Sequence, residues 1–239
     1  MNSRPQTRIT LLGFTLIELL TVITIIAILM GLLFPAIGIV KDQARKAEAK
    51  AAVVQIAAAV KQYYTEYGKY PVADYNTTAT PVDLKLGDTT RAGAQASNAD
   101  LFNILRAKNV GKNLDNLYNP RRIVFFEGRA ASDATSPKSG FLDQTVPTGG
   151  INVTQGAFYD PWGKEYTVVI DANYNDIIKL STVYADFTET SQDSVDMGAR
   201  TGVGVFSLGK NGEIGSPNDN VSGKYRNGSK TSDDIISWQ

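Results

Sequence analysis

The feature that most constrains this chain is a stretch of 21 residues, Phe14 to Phe34, that is almost entirely apolar. As an α-helix, with about 1.5 Å of rise per residue, it spans roughly 30 Å, the thickness of one bilayer core. Arg4 and Arg8 precede it, and residues 1–13 contain no acid. Because positive charge is retained on the cytoplasmic side, we expect a cytoplasmic N-terminus and place the rest of the chain outside.

A secretory signal peptide and a plain single-span anchor are two alternative interpretations of this stretch. It is longer than the apolar part of a signal peptide, and no cleavage site built of small residues follows it. A plain anchor explains every residue except Glu18. A carboxylate costs roughly 2.5–3.5 kcal/mol at the centre of a membrane helix, and less near the end of the helix.

Glu18 gains a partner if the chain is cut between Gly13 and Phe14. The cut creates an amine about one helical turn before Glu18, and an amine and a carboxylate attract each other strongly in a low dielectric. When subunits stack, the carboxylate of one chain can meet the amine of the next, which selects one axial offset between neighbours. We therefore interpret Glu18 as an assembly group.

The residues GFTLIELLTVITIIAIL, which begin at Gly13, resemble the N-terminus shared by type IV pilins and the pseudopilins of type II secretion. The resemblance implies that a prepilin peptidase removes residues 1–13 as a leader and that Phe14 is then N-methylated. It also implies that Glu18 pairs between subunits. The implied fold is α+β and type IV pilin-like, with a long N-terminal helix packed on a small antiparallel sheet.

A weak point in the long helix is predicted between Gly31 and Pro35. A proline removes the hydrogen bond to the carbonyl four residues back, which is the carbonyl of Gly31, and glycine is itself a poor helix former. The sequence alone favours a simple kink at the membrane exit equally well. The resemblance implies local melting of the helix here when a filament forms.

The helix is expected to continue well beyond the membrane, because small and apolar residues recur at spacings of three and four up to Tyr67. Gly68 and Pro71 then end it. Residues 14–34 form the transmembrane and assembly half of this helix, and residues 35–68 form the half that packs on a periplasmic head.

The remainder of the chain is divided into two parts. Residues 69–150 are interpreted as a variable insertion, with a short helix at 99–109 and a strand at 121–128. Residues 151–239 are expected to form an antiparallel sheet of three or four strands with a C-terminal loop. The turn sequence Asp160-Pro161-Trp162-Gly163 resembles a motif of the major pseudopilins of type II secretion.

Two C-terminal segments, 207–215 and 232–238, resemble the calcium loop of the same family. Calcium takes six to eight oxygen ligands, often including backbone carbonyls. By position, the resemblance implies four ligands: the carbonyl of Leu208 and the side chains of Asn211, Asp233 and Asp234. Asn211 stands where the family usually has aspartate. A hairpin turn at 211–212 and two solvated aspartates explain the same residues without a metal.

The composition excludes most chemistry. The chain has no cysteine and no histidine, which removes thiol nucleophiles, Ser-His-Asp triads and ordinary zinc sites. Lys+Arg and Asp+Glu both number 24, so no basic field favours nucleic acid. We expect no enzymatic activity. An enzyme on a pilin anchor remains an alternative, because a carboxylate pair such as Asp186 and Glu189 can carry acid–base chemistry.

We expect a pseudopilin: a single-pass inner-membrane subunit that joins copies of itself and other pseudopilins in a periplasmic helical filament. That filament would drive type II secretion. Its expected partners are the prepilin peptidase and the inner-membrane assembly platform. One alternative is a type IV pilin that forms surface fibres for adhesion, motility or DNA uptake. Another is a simple tethered periplasmic domain, in which replacing Glu18 by alanine would be harmless.

Overall fold

The computed structural model describes residues 15–72, 83–89, 94, 96–144, 146–148, 151–153, 155–179, 198–215, 226–227 and 230–238. Contacts divide the chain into two units, residues 1–44 and residues 45–239. The first unit holds the apolar part of the long helix. The second unit, the head, holds the rest of that helix and the sheet.

The described elements are two α-helices, one 3-10 segment and twelve short strands. The helices are α1 (Leu16–Tyr67) and α2 (Ala99–Leu105), and the 3-10 segment is Gly111–Asn116. The strands are β1 (Leu84–Leu86), β2 (Gly140–Phe141), β3 (Val146–Thr148), β4 (Ile151–Val153), β5 (Phe158–Tyr159), β6 (Thr167–Ile170), β7 (Ile178–Lys179), β8 (Gly198–Ala199), β9 (Val203–Ser207), β10 (Arg226–Asn227), β11 (Lys230–Thr231) and β12 (Ile235–Ile236).

Helix α1 confirms the predicted long N-terminal helix. It has 52 residues and continues without a break through Gly31 and Pro35. Local melting at these two residues in a filament stays a prediction. Gly13 and Phe14 lie outside the described residues, so their processing also stays a prediction.

The head is built on one stripe of α1. Val53, Ile56, Val60 and Tyr63 are fully buried, and their spacing of three and four residues places them on one face of the helix. Lys50, one turn before Val53, donates from Nζ to the carbonyl of Ile236 at 2.8 Å. The stripe therefore packs on the sheet, and a charge-assisted hydrogen bond joins α1 to the last strand.

The main sheet has four antiparallel strands in the order β1-β6-β9-β12. One face packs with the α1 stripe in a single core through Leu84, Leu86, Val168, Ile170, Val203 and Val205. The opposite face carries Val169 and Phe206, which pack with Ile178, Leu208 and Ile236. Both faces are buried, which explains why β6 and β9 read as continuous apolar runs and not as an alternating pattern.

The region interpreted as an insertion contributes to the core. Strand β1 forms an edge of the main sheet, and α2 buries Leu101, Phe102, Ile104 and Leu105 in the core shared with α1. The predicted short helix is confirmed, although it ends at Leu105 and not at residue 109. The predicted strand at 121–128 is wrong. Within the described part of the chain it pairs with no strand, and the N–H groups of Phe125 and Phe126 both reach the carbonyl of Leu105.

Buried asparagines replace strand pairing in this region. The amide of Asn119 donates to the carbonyls of Ile104 and Ile123 at 2.8 and 2.7 Å. Its oxygen accepts the hydroxyl of Tyr67 at 2.7 Å and the N–H of Ile123 at 3.0 Å. One side chain thus joins α1, α2 and the segment that follows the 3-10 turns.

Replacing Asn119 by alanine is therefore expected to destabilise the head by about 2 to 4 kcal/mol, because several buried polar groups lose their partner together. The measurement is the free energy of unfolding in denaturant. The control is Asn109→Ala, at an exposed asparagine that accepts one N–H, from Asp115. Equal stability of the two variants would contradict the role assigned to Asn119.

Candidate functional site

The first part of α1 exposes large apolar side chains along its length. Leu16 is 88% exposed, and Leu32 and Phe34 are each 71% exposed. The helix is long and apolar enough to cross a membrane, and no residue of its most apolar stretch is buried. A continuous apolar surface of this length is stable in lipid or against other helices, not in water.

A reciprocal cap closes the N-terminus of α1. The carboxylate Oε2 of Glu18 accepts the backbone N–H and the hydroxyl of Thr15, both at 2.8 Å. The Thr15 hydroxyl oxygen accepts the N–H of Glu18 at 3.3 Å. This arrangement is a capping box, which satisfies donors that the first helical turn leaves without partners. Glu18 therefore has a local function within its own chain.

The cap leaves room for a second role of Glu18. Both hydrogen bonds from Thr15 end on Oε2. In the described part of the chain, Oε1 accepts no hydrogen bond and the side chain is exposed. A cation from another molecule can therefore reach Oε1 while the cap stays closed. The pattern threonine-x-x-glutamate is a recognised helix-start signal, and our interpretation of Glu18 from the sequence overlooked it.

The two segments expected to form the calcium loop do lie together in the head. The carboxylate Oδ2 of Asp233 accepts the backbone N–H groups of Lys210 and Asn211 at 2.9 and 3.1 Å. Asp234 is buried, and its Oδ2 accepts the N–H of Gly215 at 3.0 Å. The loop that follows β9 is thus wrapped around the two aspartates that precede β12.

Gly209 makes this wrapping possible. Its φ is +62°, a conformation that glycine adopts at little cost. A Cβ atom at this position would lie 2.4 Å from the carbonyl oxygen of Asp233. No larger residue fits there without moving one of the two segments.

The other expected ligands are placed less uniformly. The side chain of Leu208 packs in the core on the sheet face opposite α1, so only its backbone carbonyl can serve as a metal ligand. The Asn211 side-chain oxygen accepts the N–H of Glu213 at 2.9 Å, as it would in a simple turn. The described residues include no group of three or more acidic, histidine or cysteine side chains placed to hold a metal.

One observation nevertheless fits a cation. The second carboxylate oxygen of Asp233, Oδ1, is buried and accepts no hydrogen bond from any described residue. A buried carboxylate oxygen normally has a donor, a water or an ion as its partner. Calcium prefers oxygen ligands of this kind. The residues present therefore fit a calcium ion at Asp233.

The turn Asp160-Pro161-Trp162-Gly163 is held by a buried carboxylate. Asp160 is fully buried, and its Oδ1 accepts the N–H groups of Trp162 and Lys164, both at 2.9 Å. Its Oδ2 accepts the hydroxyl of Ser207 at 2.6 Å. Burial raises the pKa of Asp160, while these hydrogen bonds act in the opposite direction.

A second buried carboxylate lies just beyond this turn. Glu165 accepts the hydroxyl of Ser97 through Oε2 at 2.9 Å and the N–H of Asn98 at 3.0 Å. Asn98 in turn donates to the carbonyls of Phe158 and Tyr166. Burial raises the pKa of Glu165 above its usual range. Ser97, Asn98 and Ser207 are site residues that we did not predict from the sequence. A polar residue that ends an apolar strand, as Ser207 does, is a detectable signal.

No family model matches the chain, and neither do curated proteins or solved structures. The resemblance to pseudopilins therefore rests on the motifs at the N-terminus of α1, at residues 160–163 and in the two C-terminal segments.

The raised pKa of Glu165 predicts a specific pH dependence. The folded protein holds a proton that the unfolded chain has already released, so stability falls as pH rises from the ordinary glutamate range through the raised pKa. Glu165→Gln removes this contribution, and the decline in unfolding free energy over that interval should become shallower.

The exposed Glu127 provides the matched control for that experiment. Glu127→Gln should leave the decline unchanged. An unaltered pH dependence in Glu165→Gln would show that the buried carboxylate of Glu165 does not titrate as its environment implies.

Proposed function

We propose that this protein is a pseudopilin subunit that leaves the inner membrane to join a periplasmic helical filament driving type II secretion. The observation that carries the proposal is the first part of α1, an exposed apolar helix closed at its N-terminus by Thr15 and Glu18. Such a helix needs lipid before assembly and neighbouring helices after it. The same surface serves in both environments, because neither contains water.

Assembly gives the second role to Glu18. Cleavage after Gly13 by a prepilin peptidase leaves Phe14 as the first residue, directly before the cap. The Phe14 amine of an adjoining subunit then pairs with Oε1 of Glu18 and sets the axial offset. Head-to-tail contacts that do not close generate an open filament and not a ring. Growth from the assembly platform would push exoproteins through an outer-membrane channel.

Calcium would fasten the C-terminal segments of the head. The carboxylates of Asp233 and Asp234, with the carbonyl of Leu208 and the side chain of Asn211, would hold the ion. When bound, calcium would supply positive charge to Asp233 Oδ1, a buried oxygen that accepts no hydrogen bond from the residues the structure describes. The chain has no cysteine, so no disulfide joins these segments outside the cytoplasm.

The direct test of the proposed function uses a strain that lacks this protein. Secreted proteins are measured in the periplasm and in the medium, and surface fibres are counted on the same cells. Exoproteins trapped in the periplasm with fibres intact are the expected result. Loss of fibres with secretion intact would instead identify a type IV pilin, and no change in either would leave a tethered periplasmic domain.

Three variants separate the two roles of Glu18. Glutamine can close a capping box as glutamate does but carries no charge, so Glu18→Gln should keep the cap and lose the pairing with Phe14. We expect filament yield to fall sharply in Glu18→Gln and in Glu18→Ala. Thr15→Ala, which loses the cap at a cost of about 1 kcal/mol but keeps the charge, should reduce the yield less.

Filaments are counted by electron microscopy of spheroplasts, from which the outer membrane has been removed, and membrane insertion and cleavage of each variant are followed by immunoblot as the control. Normal yield in Glu18→Gln together with a low yield in Thr15→Ala would mean that Glu18 acts through the cap alone.

The calcium assignment predicts a ligand-dependent stability. Calcium at about a hundredfold above its Kd should stabilise the full chain in detergent micelles by about 2.7 kcal/mol, and a chelator should reverse the effect. Asp233→Asn should abolish the response. Asp133→Asn, at an exposed aspartate distant in sequence, should retain it. A wild-type protein whose Tm does not respond to calcium would contradict the assignment.

A further inference from the structure

We propose that Asp160 and Ser207 are positioning residues for the loop that follows β9, so that the turn at 160–163 sets the affinity of the calcium site. This inference rests on the calcium role proposed above. Four hydrogen bonds and one close approach connect the two places. Neither Asp160 nor Ser207 is itself a proposed calcium ligand.

The first link is a rigid acceptor. Asp160 is held by the N–H groups of Trp162 and Lys164 on Oδ1, and its own backbone carbonyl accepts the N–H groups of Ser139 and Gly163. The remaining oxygen, Oδ2, therefore has a fixed position. It accepts the Ser207 hydroxyl at 2.6 Å, a short distance typical of a bond to a carboxylate.

The second link is the Ser207 hydroxyl itself. The hydroxyl donates its hydrogen bond to Asp160. Its oxygen is therefore available as an acceptor, and it accepts the N–H of Gly209 at 3.2 Å. Ser207 is the last residue of β9 and pairs with Ile235 of β12. The hydroxyl thus fixes the direction in which the chain leaves β9. At this point β9 lies beside β12, the strand that directly follows Asp233 and Asp234.

The third link is the contact of Gly209 with Asp233. The Gly209 backbone lies so close to the Asp233 carbonyl that a Cβ atom would be 2.4 Å from its oxygen. The next two N–H groups, of Lys210 and Asn211, bind Oδ2 of Asp233. A shift of Gly209 therefore moves the Leu208 carbonyl and these two donors together, and changes how Asp233 presents Oδ1.

Burial makes this connection effective. Asp160, Ser207 and Leu208 are all fully buried, so water does not replace a lost hydrogen bond in the folded state. Groups that orient metal ligands from behind typically change metal affinity about 10- to 100-fold when they are removed. We expect an effect of that size from Ser207, although its side chain does not touch the ion.

The test measures two quantities on the full chain in detergent micelles: the Kd for calcium by titration calorimetry, and hydrogen exchange at the Lys210 and Asn211 amides without calcium. Ser207→Ala should weaken calcium binding at least about tenfold and speed the exchange of both amides. Ser207→Thr, which keeps the hydroxyl, should restore both. The matched control is Ser97→Ala, which also removes a hydroxyl from a buried carboxylate, that of Glu165.

Each outcome decides the proposal. Wild-type affinity and exchange in Ser207→Ala would overturn it, and so would an equal loss of affinity in Ser97→Ala, because that indicates general destabilisation. If the wild-type protein binds no calcium, the calcium assignment fails separately. The exchange of Lys210 and Asn211 then still decides whether Ser207 positions the loop.

Discussion

The structure depends on the different surroundings of the two parts of α1. Its first part exposes leucine, isoleucine and phenylalanine side chains along its length, whereas its second part buries Val53, Ile56, Val60 and Tyr63 in the core of the head. A helix satisfies its backbone hydrogen bonds internally. One part of α1 can therefore lie in an apolar environment such as lipid while another part packs in a protein core. The capping box of Thr15 and Glu18 supplies acceptors to N–H groups at the N-terminus of this helix.

The head is stabilised without disulfides, because the chain has no cysteine. Both faces of its sheet are covered by apolar side chains. Several of its buried polar side chains are bonded in small networks around Asn98, Asn119, Asp160 and Glu165. Networks of this kind stabilise a single arrangement only when their members are satisfied. Asp233 Oδ1 is one of the buried oxygens that accept no hydrogen bond from a described residue, and the proposed calcium ion would be its partner.

The spacing of apolar residues along the sequence predicted the two helices, because helix formation depends mainly on neighbouring residues. The apolar run and the spacing of small residues up to Tyr67 predicted α1, and the apolar face of residues 101–105 predicted α2. The strand expected at 121–128 failed because its apolar residues are satisfied by packing and by the Leu105 carbonyl, not by a ladder partner. Asp160 and Ser207 are 47 residues apart, so their contact follows only from the tertiary fold.

The proposed function requires that the mature protein begin directly before α1, so that this helix can serve assembly. Intact-mass analysis of the chain purified from native membranes tests it most directly. We expect a mature chain that begins at Phe14 and carries one added methyl group. A chain that still begins at Met1, or one cut beyond Phe34 as a secreted protein would be, would contradict the claim.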